Sequence, residues 1–218
     1  SGGEDEEPTE NPNASKPRYI WIDAAANFPD FANSKENIAR DLALAKDAGF
    51  TDIVVDVRPT TGDVLFKTNL VDQVKFMYAW IGSNYTKVER TATWDYLQAF
   101  VDEARKQGLR IHAAINTFVG GNQIDGGTGL LYRDQSKAEW ATQMNMQVGI
   151  TSVMNTSEST KFFNPAHPEV QTFLCDLLKD LAGYDLDGIF LDRGRFLNLQ
   201  ADFSEESRKQ FEEYMGGI

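Results

Sequence analysis

A short apolar strand is predicted at residues 187–193, which are Asp-Gly-Ile-Phe-Leu-Asp-Arg. The strand follows the Asp-Gly pair and carries a carboxylate, Asp192, at its end. Parallel α/β sheets and barrels have their chemistry at the carboxyl ends of the strands. A strand also holds a side chain there more rigidly than a helix surface does. Asp192 is therefore the first candidate for a catalytic residue.

Three earlier segments show the same order of an apolar strand and a helical pattern. The predicted strands are 19–23, 53–58, 110–116 and 188–192. The predicted helices are 34–49, 93–107, 168–181 and 204–214. We also expect local helix near residues 70–80. Residues 117–163 are predicted to be a Gly-rich, mostly irregular insertion with a hairpin near 147–154.

This alternation predicts parallel strands joined by right-handed crossovers. The expected fold is an α/β barrel of the TIM type, with only about the first four β/α units in residues 17–218. A complete barrel takes about 250 residues, and half a barrel leaves two parallel strand edges unpaired. Three explanations stay open: a longer chain, a second copy that completes the barrel, or an open sheet. We favour the first.

Composition limits the classes of partner. The 218 residues carry a net charge of −12, which argues against nucleic acid and anionic membranes because both require a basic surface. The single cysteine, Cys175, excludes an internal disulfide and a zinc site of several cysteines. No segment approaches the roughly 20 apolar residues that span a bilayer.

Residues 1–16, SGGEDEEPTENPNASK, contain no large apolar side chain and are predicted to form a disordered acidic linker. Their composition suits the tether of a bacterial surface lipoprotein after removal of the signal and the lipidated cysteine. A leader added for expression would have the same composition. We expect a periplasmic or cell-surface location on this basis.

The alternation of side chains along each strand predicts which residues share the inner face of the sheet. These sets are Trp21 and Asp23; Val54, Asp56 and Arg58; His112, Ala114 and Asn116; Gly188, Phe190 and Asp192. Each set ends in a polar residue, whereas barrel interiors are normally filled by branched apolar side chains. The sequence therefore predicts a polar pocket at the strand ends, formed by Asp23, Arg58, Asn116 and Asp192.

Each candidate also has a structural explanation. Asp192 could cap a helix or pair with a neighbouring arginine, and Arg58 could be the ion-pair partner of a nearby aspartate. His112 lies within a strand, where histidine is more often a hydrogen-bonded core residue than a base. Aromatic residues in or near the insertions either stack on sugar rings or pack the loops down; they are Trp80, Tyr85, Tyr132 and Trp140.

Five motifs occur in an order that resembles a known family. They are RYIW at 18–21, VDVRP with GDVLF at 55–66, HAAIN at 112–116, FNPAHPEV at 163–170 and YDLDGIFLD at 184–192. Together they resemble the bacterial glycosyl-hydrolase-like proteins of the family 10 glycosylhydrolase-like group. Those proteins are (β/α)8 barrels distantly related to the α-amylase superfamily.

The resemblance implies a glycoside hydrolase that acts on a poly- or oligosaccharide, and we expect neither a cofactor nor a metal ion. It implies that Asp192 is the nucleophile. The candidate substrate-binding residues are Trp21, Asp23, Arg58, His112, Asn116 and Arg193. Many relatives have a second acid directly after the first, where this chain has Arg193. The general acid of such barrels comes from a later strand, so the activity of this chain alone stays an open question.

Two other functions stay open at this point. One is a non-catalytic carbohydrate-binding or scaffold protein that uses the same pocket, and the lack of a second carboxyl group within reach of Asp192 would favour it. The other is a metal-dependent hydrolase in which Asp23, Asp56 and Asp192 gather a hard divalent cation through oxygen ligands.

Overall fold

The computed structural model describes residues 16–217, so the linker predicted over 1–16 lies outside it except for Lys16. The strands in this range are β1 Tyr19–Ile22, β2 Asp52–Arg58, β3 Phe76–Ile81, β4 Asn84–Glu89, β5 Arg110–Asn116, β6 Val119–Asn122, β7 Gln143–Met146, β8 Gly149–Ser152, β9 Thr160–Phe162 and β10 Gly188–Asp192. The α-helices are α1 Ala24–Phe31, α2 Lys35–Asp47, α3 Tyr96–Gln107, α4 Leu130–Arg133, α5 Pro168–Leu181 and α6 Glu205–Tyr214.

The central sheet consists of β1, β2, β5 and β10 in that order, and all neighbouring strands are parallel. These are the four predicted strands, and each agrees with its prediction to within one residue. Within residues 16–217, β1 pairs only with β2, and β10 pairs only with β5. The described chain is therefore an α/β protein with an open sheet of four parallel strands, and residues 16–217 do not close a barrel.

The start of α2 and the end of α3 lie at the capping residues that the sequence predicts. Ser34 accepts a hydrogen bond of 3.1 Å from the amide of Asn37 at the start of α2. Gly108 ends α3 with φ +68°, a left-handed conformation that glycine adopts without a steric cost. Among residues 16–217, no helix has the length and apolar character needed to cross a membrane.

The two faces of the sheet are buried to very different extents. On the helix side, Val55, Ile111 and Ala113 are completely buried beneath the apolar faces of the helices. On the opposite face, Trp21 is 52% exposed and Phe190 37% exposed. These two rings contact each other at 5.4 Å between centroids. The face that would line a barrel is thus covered only in part by the described residues.

The prediction of local helix near residues 70–80 is wrong. Residues 76–81 form β3, which pairs with the following β4 in an antiparallel hairpin. Met77 and Ala79 are buried against α1, while Trp80 points outward opposite Tyr85. This alternation has the period of two that defines a strand rather than the helical period of 3.6. The exposed aromatic residues hid that pattern, because apolar side chains occupy both faces.

The insertion at 117–163 has more regular structure than predicted. β6 pairs with β9, and the hairpin of β7 and β8 lies a few residues before the predicted position. The glycines of this segment permit close packing: a Cβ atom on Gly120 would lie 2.6 Å from a methyl group of Leu131 and 2.7 Å from the ring of Phe163. Gly120 therefore permits close packing here because it has no side chain.

The end of β2 departs from simple alternation. Asp56 pairs with Ala114, but Arg58 pairs with Ile115, so β2 contains one extra residue between them. Such a β-bulge turns the following side chain to the other face. Arg58 consequently lies on the side of Ile115, which belongs to the helix-side core. The prediction that Arg58 shares the inner face with Asp56 is wrong for this reason.

The guanidinium of Arg58 is completely buried and contacts three main-chain carbonyl oxygens of residues 116–119. It donates hydrogen bonds to the carbonyl oxygens of Asn116 at 2.6 Å and Thr117 at 3.2 Å, and also to that of Val119. Burial lowers its pKa to about 10, although the nearby charge of Asp63 acts to raise it. Arg58 therefore stays charged at neutral pH and holds the end of β5 to the start of β6.

Replacing Arg58 with methionine should destabilise the chain. Methionine fills similar space but donates no hydrogen bond, so three buried carbonyl oxygens lose their partner. We expect Arg58→Met to lower the free energy of unfolding by about 3 kcal/mol, measured by urea denaturation. Arg40 is a solvent-exposed control, and Arg40→Met should change stability by less than about 0.5 kcal/mol. Equal effects of the two substitutions would contradict this role of Arg58.

Candidate active site

A cavity of about 240 Å³ lies at the carboxyl ends of the four parallel strands. Its lining comes from every strand of the sheet, from the residues that follow β2 and from the hairpin. The lining residues are Trp21, Asp23, Ala25, Asp56, Pro59, Thr60, Met77, Ala114, Ile115, Asn116, Asp192 and Arg193. The strand ends therefore do form a polar pocket, as parallel α/β sheets commonly do.

The structure brings five of the seven predicted site residues to this cavity, and they are Trp21, Asp23, Asn116, Asp192 and Arg193. The other two, Arg58 and His112, do not line it. Arg58 is turned to the helix side by the bulge in β2. His112 lies four residues before Asn116 along β5, towards the opposite end of the strand. We therefore no longer assign Arg58 or His112 to substrate binding.

His112 belongs to an ion-pair network at the amino-terminal ends of the strands. Its Nε2 atom lies 2.7 Å from a carboxylate oxygen of Asp52, and Arg110 contacts the same carboxylate at 2.9 Å. Burial acts to raise the pKa of Asp52, but hydrogen bonds from Arg110, Thr51 and His112 hold it at about 2. His112 thus has the structural role of a hydrogen-bonded core residue.

Asp192 presents its carboxylate to solvent at the mouth of the cavity. Within residues 16–217 it forms no ion pair within 4 Å, and no helix begins directly after it. Its carboxylate accepts a hydrogen bond of 2.8 Å from the amide of Arg193. Neither of the two structural explanations for Asp192, a helix cap or an arginine pair, accounts for its position.

Arg193 has φ +48°, which is uncommon for a residue other than glycine. The main-chain carbonyl of Asp192 accepts a hydrogen bond of 2.8 Å from Thr117, so the end of β10 stays attached to β5. Together these features turn the chain at the cavity, and the half-buried Arg193 side chain lines it. A left-handed arginine costs of the order of 1 kcal/mol, and such conformations concentrate at functional sites.

Asp23 has a structural function as well as a place in the cavity. It is the N-cap of α1, and its carboxylate accepts a hydrogen bond of 2.7 Å from the amide of Ala26. A capping carboxylate is fixed in direction by the helix that it caps. Asp23 therefore contributes a rigid negative charge beside the other two carboxyl groups.

Among the residues that line the cavity, Asp56 has the pKa that differs most from its ordinary value. Burial raises its pKa to about 7, and the charges of Asp23 and Asp192 act in the same direction. A hydrogen bond of 3.1 Å from the amide of Arg58 opposes the shift but does not cancel it. At neutral pH a large fraction of Asp56 therefore carries its proton, which is the state that a general acid requires.

Within residues 16–217, no three His, Cys, Asp or Glu side chains, Asp23, Asp56 and Asp192 included, are grouped closely enough to hold a metal ion.

The sequence placed Asp56 on the inner face and offered it as a ligand in the metal-dependent alternative, but it was not predicted to be a residue of a glycosidase site. The signal was available, since a charged residue stands in the middle of the apolar strand IVVDVR. The contribution of Met77 from the hairpin was missed because the segment was predicted as a helix.

The fold and the cavity together define an α/β protein with a polar cavity at the carboxyl ends of a parallel sheet. Residues 16–216 match the family model described as glycosyl hydrolase-like 10, and the chain belongs to that family. An S-layer-related protein of Niallia circulans is 31% identical over 203 residues, which are 90% of this chain and 12% of that protein. The chain thus spans about an eighth of the length of that relative.

Solved structures share the fold at low sequence identity. Alpha-L-fucosidase isoenzyme 2 from Paenibacillus thiaminolyticus has a TM-score of 0.58 at 17% identity, and the match covers 92% of this chain and 26% of that one. The alpha-galactosidase AgaB from Geobacillus stearothermophilus has a TM-score of 0.54 at 13% identity, with 93% and 25% covered. A hypothetical protein from Ruminiclostridium thermocellum has a TM-score of 0.53 at 15% identity, with 91% and 90% covered.

Proposed function

We propose that this chain carries the catalytic cavity of a glycoside hydrolase that acts on a poly- or oligosaccharide. The observation that supports this most is the presence of Asp56 and Asp192 in one cavity, in different environments. Membership of a glycosyl hydrolase-like family supports the proposal, as does a fold shared with proteins named as a fucosidase and a galactosidase.

Cleavage of a glycosidic bond requires one carboxylate and one protonated carboxylic acid. We assign the exposed carboxylate of Asp192 as the nucleophile that attacks the anomeric carbon. We assign Asp56 as the acid that gives its proton to the departing glycosidic oxygen, because its raised pKa keeps that proton in place near pH 7. In the second step the Asp56 carboxylate accepts a proton from the water that releases the sugar.

The remaining lining residues suit the binding of a sugar ring. Trp21 exposes half of its surface at the cavity and offers a flat apolar face. Asn116 and Asp23 provide polar groups that can bond to hydroxyl groups, and Arg193 supplies positive charge beside the Asp192 carboxylate. Neutral hydroxyl-rich ligands fit this mixture better than anionic ones, because three carboxyl groups share the cavity.

A non-catalytic carbohydrate-binding protein is the main alternative. The structural criterion for that alternative was the lack of a second carboxyl group within reach of Asp192. Asp56 and Asp23 line the same cavity as Asp192, so the geometry favours the enzyme. The experiment that follows separates the two functions.

Substitution of either assigned carboxyl group should abolish hydrolysis. We expect the unaltered chain to release reducing ends from at least one member of a panel of bacterial, plant and host polysaccharides. Asp192→Asn and Asp56→Asn should each lower that rate by about a thousandfold. Asp176→Asn, at a half-buried position on α5 that does not line the cavity, is the matched control and should keep full activity.

The dependence on pH gives a second criterion in the same assay. The pKa of Asp56 is raised to about 7, so the acid loses its proton, and the rate should fall, as pH rises through that value. Release of sugar by Asp192→Asn at the unaltered rate would contradict the catalytic assignment. Binding of glycans without release by any variant would instead support the carbohydrate-binding alternative.

We propose further that additional strands complete the sheet at β1 and β10, supplied by a longer chain or by a second copy. The exposed Trp21, Phe190 and Leu191 support this, because a barrel would bury them. Sedimentation velocity distinguishes the two sources. A dimer would support a second copy, whereas a monomer with the same exposed face would support further units from a longer chain.

We propose a location at the cell surface, which is supported by the name of the S-layer-related relative. Attachment as a lipoprotein is the finer form of this proposal. Labelling of intact cells with a membrane-impermeant biotin reagent tests the location, and failure to label the protein would count against it.

A further inference from the structure

Three aromatic side chains form a solvent-facing group on the hairpin of β3 and β4. We define them as the aromatic platform: Tyr78, Trp80 and Tyr85. The ring centroids of Tyr78 and Tyr85 are 5.3 Å apart with nearly parallel planes, and those of Trp80 and Tyr85 are 5.2 Å apart. Trp80 is 68% exposed and Tyr85 57% exposed. Exposed apolar groups of this size, grouped together, mark interaction sites.

The platform is held rigidly by polar contacts that no packing requirement explains. Asp125 has φ +50° and accepts a hydrogen bond of 2.9 Å from the Tyr78 hydroxyl. The same carboxylate forms an ion pair of 2.9 Å with Lys87 on β4. On the opposite face of the hairpin, Met77 and Ala79 pack against α1. The aromatic rings are therefore presented outward from a fixed support.

A groove of about 340 Å³ lies beside the platform, and Tyr78 and Tyr85 line it, whereas Trp80 does not. The polar side chains of Asn122, Gln123 and Ser159 also line the groove, and we define them as its polar wall. Amide and hydroxyl groups in one groove with aromatic rings fit a sugar, which has apolar C–H faces and a rim of hydroxyl groups. Such a groove has the mixed lining that small-molecule sites share.

The groove adjoins the cavity of the proposed catalytic carboxyl groups, because Ala25, Thr60 and Met77 line both spaces. A ligand that extends beyond the cavity along this side therefore meets Tyr78 and Tyr85 of the platform.

We propose that the aromatic platform and its polar wall bind the successive sugar units of a neutral polysaccharide whose cleaved bond lies in the neighbouring cavity. The inference rests on the proposed hydrolase for the position of that bond, but binding by the platform can be measured without hydrolysis. The net charge of −12 and the carboxylates of the cavity select against polyanionic chains.

Affinity electrophoresis tests this proposal with galactomannan, xyloglucan and mixed-linkage β-glucan as probes. We expect at least one of them to retard the unaltered chain. The double substitution Trp80→Ala with Tyr85→Ala should weaken that binding by about tenfold or more, because two stacking surfaces are lost. Tyr214→Ala removes an aromatic residue that is 86% exposed on α6 and should bind like the unaltered chain. Thermal melting checks that every variant is folded.

Hydrolysis of small nitrophenyl glycosides separates the two proposals. These substrates are too short to reach the platform, so the double variant should cleave them normally if the hydrolase assignment is right. Asp192→Asn should keep its retardation by polysaccharide. Loss of binding in the double variant supports the platform even if no variant cleaves any glycoside. Equal retardation of the double variant and the unaltered chain would overturn the platform, and so would the lack of retardation by all three probes.

Discussion

The buried guanidinium of Arg58 is the interaction on which the arrangement of the cavity depends. It joins the end of β2 to the carbonyl oxygens of Asn116, Thr117 and Val119, and thereby fixes β5 and the start of β6. Burial of a charge is costly unless hydrogen bonds compensate it. Two of the three guanidinium nitrogens form such bonds, whereas Nε has no partner among residues 16–217. The bulge that turns Arg58 away from the cavity also leaves the amide of Arg58 bonded to Asp56. The β-bulge in β2 therefore affects two parts of the cavity. It places the Arg58 guanidinium against the end of β5, and it places the Arg58 amide against the carboxyl group of Asp56.

The fold was predicted from local patterns wherever those patterns were simple. All four strands of the sheet and the helices α2, α3, α5 and α6 agree closely with their predictions, because apolar spacing and capping residues such as Ser34 and Gly108 mark them. The hairpin of β3 and β4 was missed because aromatic residues on its exposed face concealed the alternation. Their exposure follows from tertiary structure, which a local pattern does not contain.

The candidate site was predicted less completely than the fold. Strict alternation placed Asp23, Asn116 and Asp192 at the cavity, and the structure confirms that these residues line it. The alternation of side chains along the strand gave the wrong face for Arg58, because one extra residue in β2 shifts its pairing with β5. It also could not reveal that the pKa of Asp56 is raised to about 7, because burial and the charges of Asp23 and Asp192 act together only after folding.

The proposed hydrolase depends most directly on a neutral carboxyl group beside an exposed carboxylate. Carbon-13 NMR of the aspartate side chains, followed from pH 3 to 9 and assigned with Asp56→Asn, measures this property without any choice of substrate. We expect the Asp56 carboxyl to titrate with a pKa of about 7. Titration near the ordinary value for aspartate, about 4, would leave the cavity without a proton donor at neutral pH and contradict the assignment of Asp56 as the acid.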